Sequence, residues 1–110
     1  MHYQLQITAA AEQDLLHVAD YIDHILKNPQ ASDRLYDDLE TEIGSLERMP
    51  QRYAVVDDPF LASHGIRALQ VRNYMAFYRV SIENQTVTVL RILYAKSDWQ
   101  TILKQSFPQS

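Results

Sequence analysis

Cysteine is absent from the 110-residue chain, which excludes a disulfide framework, a zinc–thiolate centre and a thiol nucleophile. Glycine occurs twice and proline four times, too seldom for collagen, a disordered tract or a long linker. With only Gly44 and Gly65 available, no glycine-rich phosphate loop can be built. No apolar run approaches the roughly 18 residues that cross a bilayer. The opening Met1-His2-Tyr3-Gln4-Leu5-Gln6-Ile7 lacks the basic region and apolar block of a secretory signal. His2, His17, His24 and His64 never stand at the spacing of a helical zinc motif, and no acidic cluster has the pattern of a calcium loop. No Gly-x-Ser-x-Gly nucleophile elbow is present. The expectation is one cytoplasmic domain spanning residues 1–110, with no metal, no cofactor and no membrane contact.

The net charge of −4 divides unevenly. Residues 1–50 carry ten acids and three bases, whereas residues 51–110 carry four acids and seven bases. A basic C-terminal half is suited to meeting phosphate, while acids on solvated helix surfaces account for the other half.

Periodicity orders the elements. Tyr3, Leu5 and Ile7 alternate with Gln4 and Gln6, the period of a half-buried strand over residues 3–7. Thr8 then caps a helix over residues 9–26, with Ala11, Leu15, Val18, Ile22 and Ile25 on one stripe and Asp14, His17, Asp20 and His24 mostly elsewhere. Asn28-Pro29 is an N-cap followed by a first helical proline. It starts a second helix that carries Ala31, Leu35, Leu39, Ile43 and Leu46 inward and ends at Met49-Pro50. So short a connection makes the two helices an antiparallel hairpin. Residues 50–65, broken by Pro50, Asp58-Pro59 and Gly65, read as loop. Strands follow over 66–71, 74–82 and 86–94, with turns at Arg72-Asn73 and Glu83-Asn84-Gln85, and a short helix comes after Lys96. The fold class is α+β, in the order β-α-α-β-β-β-(α), with the hairpin covering a mainly antiparallel four-stranded sheet.

The strands also carry the chemistry. Alternation puts Arg67 with Leu69 and Val71, Arg79 with Met75 and Phe77, and Arg91 with Val87, Val89 and Leu93. An arginine among apolar neighbours needs a partner or open water, and three of them converging with Lys96 would form a phosphate site. Interleaved Tyr74, Phe77, Tyr78, Tyr94 and Trp99 offer faces for an unstacked base, although Tyr74 and Tyr78, in line with Val80 and Ile82, belong first to the core.

Gly65-Ile66-Arg67-Ala68-Leu69-Gln70-Val71-Arg72-Asn73-Tyr74-Met75-Ala76-Phe77-Tyr78-Arg79-Val80 and Val87-Thr88-Val89-Leu90-Arg91-Ile92-Leu93-Tyr94-Ala95-Lys96-Ser97-Asp98 carry a resemblance. With Ala11, Asp14-Leu15 and Tyr21-Ile22 upstream and Leu46 to Pro50 closing the second helix, they resemble the RelE/ParE superfamily of bacterial type II toxins over residues 3–103. The resemblance implies a toxin neutralised by a cognate antitoxin that wraps around it. RelE-like members cut mRNA on the ribosome without a metal, and ParE-like members inhibit DNA gyrase. A degenerate member would only bind its antitoxin. On the nuclease branch, translation inhibition is the expected outcome and Arg67, Arg91, Tyr94 and Lys96 are the implied catalytic groups. Arg52, Arg79 and Trp99 are then the implied RNA contacts. Tyr94 stands where many relatives carry a histidine, and with an ordinary pKa near 10 it suits proton donation better than proton removal. Glu47 and Glu83 are the nearest candidate bases. The antitoxin is expected to be acidic where it meets the arginines.

Overall fold

The computed structural model describes residues 2–25 and 27–107. Strand β1 (Gln4–Ile7) leads into helix α1 (Ala9–Asp20), whose first turn is closed by the Thr8 side chain accepting from the Ala11 N–H at 3.1 Å. The sequence places this helix to residue 26. In the structure it widens at Tyr21–Ile25 into a single π-helical turn, while Leu26 and the Ile25 side chain lie outside the described residues. Asn28 caps helix α2 (Pro29–Gly44) through Ala31, as expected, but the regular helix stops at Gly44 and tightens into a 3-10 turn over Ser45–Glu47.

The expected loop contains a further helix, α3 (Pro59–Ser63). Asp58-Pro59 reads as a breaker in isolation, yet it repeats the Asn28-Pro29 device: the Asp58 carboxylate accepts from the Leu61 N–H at 3.1 Å and Pro59 takes the first helical position. Strands β2 (Arg67–Val71), β3 (Tyr74–Ser81) and β4 (Thr86–Tyr94) then form a meander, and α4 (Trp99–Lys104) ends the regular structure. The sheet order is β1-β4-β3-β2, with β1 parallel to β4 and the other pairs antiparallel.

Each face of the sheet carries its own core. On one face α1 and α2 bury Ala11, Ile22, Leu35, Leu39, Ile43 and Leu46 against Leu69, Val71, Ala76, Tyr78, Val87, Val89 and Ile92. On the other, α3, α4 and the loop before α3 close over Phe77, Ile66, Leu61 and Leu103. Two placements differ from expectation. Ile82 falls beyond the end of β3 and is 61% exposed. Asp14, expected at the surface, is buried: it sits one helical turn from Ala11 and Val18, on the stripe that faces β4.

Candidate functional site

Arg67 opens β2 on the helix-covered face, where it is paired in register with the buried Tyr78. Its Nη1 donates to the Tyr53 carbonyl at 2.6 Å and points at the Gln51 carbonyl at 3.5 Å. Tyr78 holds the same segment from below, its hydroxyl donating to the Pro50 carbonyl at 2.6 Å. Burial pushes that phenol up to about 12, partly offset by the neighbouring Arg67. Beside it, Arg52 donates through Nη2 to the Ser45 hydroxyl at 2.9 Å and to the Tyr53 hydroxyl at 2.8 Å, with its guanidinium carbon 4.7 Å from the Tyr53 ring centre. Arg67 and Arg52 thus share one neighbourhood and fasten the segment between α2 and α3 to the sheet.

Arg91 is engaged elsewhere. Its Nε and Nη2 make a bidentate pair with the two Asp14 oxygens at 2.8 and 2.9 Å, and Asp14 also accepts the Ile92 N–H at 2.9 Å. These hydrogen bonds hold the guanidinium above its ordinary pKa against the opposing effect of burial. The pairing of β3 with β4 jumps here: Phe77 faces Arg91 but Tyr78 faces Val89, so Leu90 is an extra residue. The bulge resets the alternation. Ile92, not Arg91, continues the helix-side row of Val87 and Val89, while Leu93 packs into the opposite core; Arg91, in register with Phe77 of that core, reaches Asp14 from outside the row.

The remaining candidates are dispersed. Arg79 is exposed on the far face, its guanidinium carbon 5.9 Å from the Phe107 ring centre. Trp99 packs on Phe77 at 4.9 Å between ring centres and serves the second core. A cleft of about 520 Å³ lies beside Trp99, but its polar rim is Asp57, Asp58 and Gln100, which repels phosphate. Within that rim Asp58 accepts from Lys104 at 2.8 Å, and this bond, with the Leu61 N–H, holds its carboxyl below the usual range. Lys96 is exposed beyond β4, with no ionic partner among the described residues.

Arg67 and Tyr94, expected in one catalytic group, therefore do not meet. Arg67 lies in the cross-strand row of Tyr78 and Val89, whereas Tyr94 lies in the row of Tyr74 and Val71. Those rows are four residues apart, about 13 Å along the strands. Glu83 precedes β4 and Tyr94 ends it, a separation of about 26 Å. Glu47 is exposed in the 3-10 turn beside the start of β1, where its carbonyl accepts the Tyr3 N–H at 2.7 Å. No three histidines, aspartates or glutamates group as metal ligands among the described residues.

A different constellation forms around Tyr94. A cleft of about 620 Å³ is lined by Tyr21 and Ile22 of the π-helical turn, Ala31 and Leu35 of α2, Arg72 and Asn73 of the β2–β3 turn, and the facing Tyr74 and Tyr94. The Tyr74 and Tyr94 rings meet edge to face at 5.8 Å. Burial and the adjacent Tyr21 and Tyr94 phenols raise the Tyr74 pKa. Arg72 has a left-handed backbone, φ 55°, and its Nε and Nη2 both reach one Asp38 oxygen at 2.7 Å. Sequence reasoning singled out neither Tyr21 nor Arg72 as site residues. Tyr21 lies one position off the apolar stripe of α1, and Arg72 looked like an ordinary turn residue.

The family model that describes the ParE toxin of the type II toxin-antitoxin system parDE matches residues 5–99. The fold is shared with the chromosomal ParDE system of Pseudomonas aeruginosa, at TM-score 0.70 and 21% identity over 86% of this chain and 98% of that one. It is shared also with the RelBE2 toxin-antitoxin complex of Mycobacterium tuberculosis, at TM-score 0.61 and 24% identity over 86% and 99% of the two chains. The isolated RelE toxin of Escherichia coli matches at TM-score 0.53 and 15% identity over 96% and 99%. No curated protein matches the sequence.

Proposed function

The chain belongs to the ParE toxin family of type II toxin-antitoxin systems, and from that premise we propose that it arrests growth by binding DNA gyrase rather than by cutting mRNA. The observation that carries this reading is the dispersal of the candidate catalytic groups. Metal-free cleavage needs a base at the 2′-hydroxyl, cations at the charged phosphorane and a donor at the leaving oxygen, all within hydrogen-bond reach of one phosphate. Here Arg91 is spent on Asp14, Arg67 on backbone carbonyls, and no carboxylate stands near Tyr94 in the lining of its cleft. That arrangement supports the gyrase reading over the nuclease expectation, whose partners are the ribosome and mRNA.

Neutralisation by a cognate antitoxin is the other half of the reading. Among the described residues strand β1 pairs on one side only, so its outer edge can accept an added strand. An apolar groove of about 190 Å³ runs beside it, lined by Leu5, Ile7, Leu15, Tyr36, Leu39 and Ile43. An extended antitoxin segment with alternating apolar residues suits that combination. Because Arg91 already holds the buried Asp14, the antitoxin has no need of an acidic face opposite it.

Tightly controlled induction in bacteria, following thymidine and methionine incorporation over the first minutes, tests the target. An early collapse of DNA synthesis with protein synthesis intact is expected. The reverse order would return the nuclease reading and retire this one.

A further inference from the structure

We propose that the tyrosine cleft between the end of α1 and the β2–β3 turn binds one unstacked nucleobase together with its phosphate. The ligand is either a free nucleotide or one unit of a single strand. The inference does not depend on gyrase being the target.

The lining has the parts such a ligand needs. Tyr21 and Tyr94 are 49% and 44% exposed, so their rings are available for stacking, and the rings are rigid with few rotors to immobilise. Tyr74 stands edge-on to Tyr94, and its phenol is close enough to those of Tyr21 and Tyr94 for each to disfavour its ionisation. The Tyr74 hydroxyl consequently keeps its proton, and phenol hydroxyls at all three positions offer a donor and an acceptor to a base edge. The Asn73 amide adds the donor–acceptor pair that recognises a purine edge. A purely apolar side chain from a protein partner would cover these polar groups without pairing them, at a cost in desolvation.

The phosphate has a partner too. Asp38 engages Nε and Nη2 of Arg72, which leaves Nη1 without a partner among the described residues and the guanidinium held in place. Among the described residues no acidic side chain lines the cleft. Its volume, about 620 Å³, lies within the range of small-molecule sites.

The backbone supports the same assignment. Tyr21 and Ile22 reach the cleft from a π-helical turn, and Arg72 reaches it from a left-handed backbone conformation. Such turns and such conformations for a non-glycine residue gather at sites where a side chain must be aimed. Neither is needed to cover the core, since Tyr21 and Arg72 are both exposed.

The test uses the purified full-length chain. Calorimetry measures adenosine and adenosine 5′-monophosphate, and fluorescence anisotropy measures a short labelled oligodeoxyadenylate and its duplex. The single strand should bind more tightly than the duplex, whose bases are stacked. Tyr21→Ala and Tyr94→Ala should each weaken binding roughly 5- to 150-fold, the range of one lost base–aromatic stack. Arg72→Gln should bring the monophosphate down to the affinity of adenosine, and Arg48→Ala, in the turn after Ser45–Glu47 and away from the cleft, should change nothing. Equal affinity for monophosphate and strand identifies a free nucleotide as the source, and binding of the strand alone identifies a single strand. Either result upholds the proposal. It is overturned if no probe binds, if duplex and single strand bind alike, or if the two tyrosine variants, shown by melting to be folded, bind as the parent does.

Discussion

A carboxylate and a guanidinium decide how β4 is built. Asp14 accepts from Arg91 twice and from the Ile92 N–H once, so a single buried side chain satisfies both the charge and the backbone freed by the bulge. Removing it leaves Arg91, only 25% exposed, without its counter-charge. Asp14→Ala should therefore cost about 3–5 kcal/mol in urea unfolding, whereas Asp14→Leu combined with Arg91→Met should recover most of that loss. Additive losses in the double variant would mean that the pair is not the source. Tyr78 supplies a pH test. Its phenol is raised from 10.0 to about 12, so the stabilisation that it contributes is complete below 10.0 and is lost as pH rises through 12. Tyr78→Phe should cost about 1–3 kcal/mol at neutral pH by stranding the Pro50 carbonyl. The gap in melting temperature between parent and variant should narrow over that alkaline range. A gap independent of pH would separate the hydroxyl's role from its ionisation.

At the scale of elements, the sequence was readable wherever one period ran uninterrupted. The stripe Leu35, Leu39, Ile43 and Leu46 identified α2 and its buried face, and alternation put Tyr74 and Tyr78 in the core, where both pack. What escaped were the places where a period is broken and a tertiary contact repairs it. The extra residue Leu90 shifts Leu93 to the other core, and nothing local marks it, because the Asp14 carboxylate that stabilises the bulge lies 78 residues upstream of Ile92. The end of α1 is a second case. The Tyr21 N–H is shared between the His17 and Val18 carbonyls and the Asn28 N–H reaches back to Ile22 at 3.2 Å, so the chain widens instead of continuing. The site residues Tyr21 and Arg72 were illegible for the same reason. Gly44 offers a cleaner test of helix propensity. Its backbone is helical, and a Cβ built there would meet nothing within 4 Å. Gly44→Ala should stabilise the protein by about 0.5–1 kcal/mol in denaturant unfolding. Gly65→Ala, at φ 72°, should destabilise it.

For the molecule as a whole, the two proposed binding regions are separated along the sheet. The apolar groove runs beside β1, an edge strand whose Ile7 shares a row with Val89, whereas the tyrosine cleft opens at the far end of β4, five residues further on. That geometry allows an antitoxin to seat its strand without filling the cleft, so neutralisation and ligand binding become separable by mutation. A lysine on the edge strand opposes strand addition because its charge must be left in water. Ile7 is partly exposed, so the core has little to lose from the exchange. Ile7→Lys should accordingly lower antitoxin affinity by at least about tenfold, the effect of roughly 1.4 kcal/mol. The melting temperature of the free toxin and its effect on DNA synthesis should stay near those of the parent. The antitoxin should also raise the melting temperature of the parent more than that of the variant at equal concentrations, because stabilisation by a ligand grows with its concentration relative to its Kd. Unchanged affinity in Ile7→Lys would place the antitoxin away from β1 and leave the tyrosine cleft as the next surface to map.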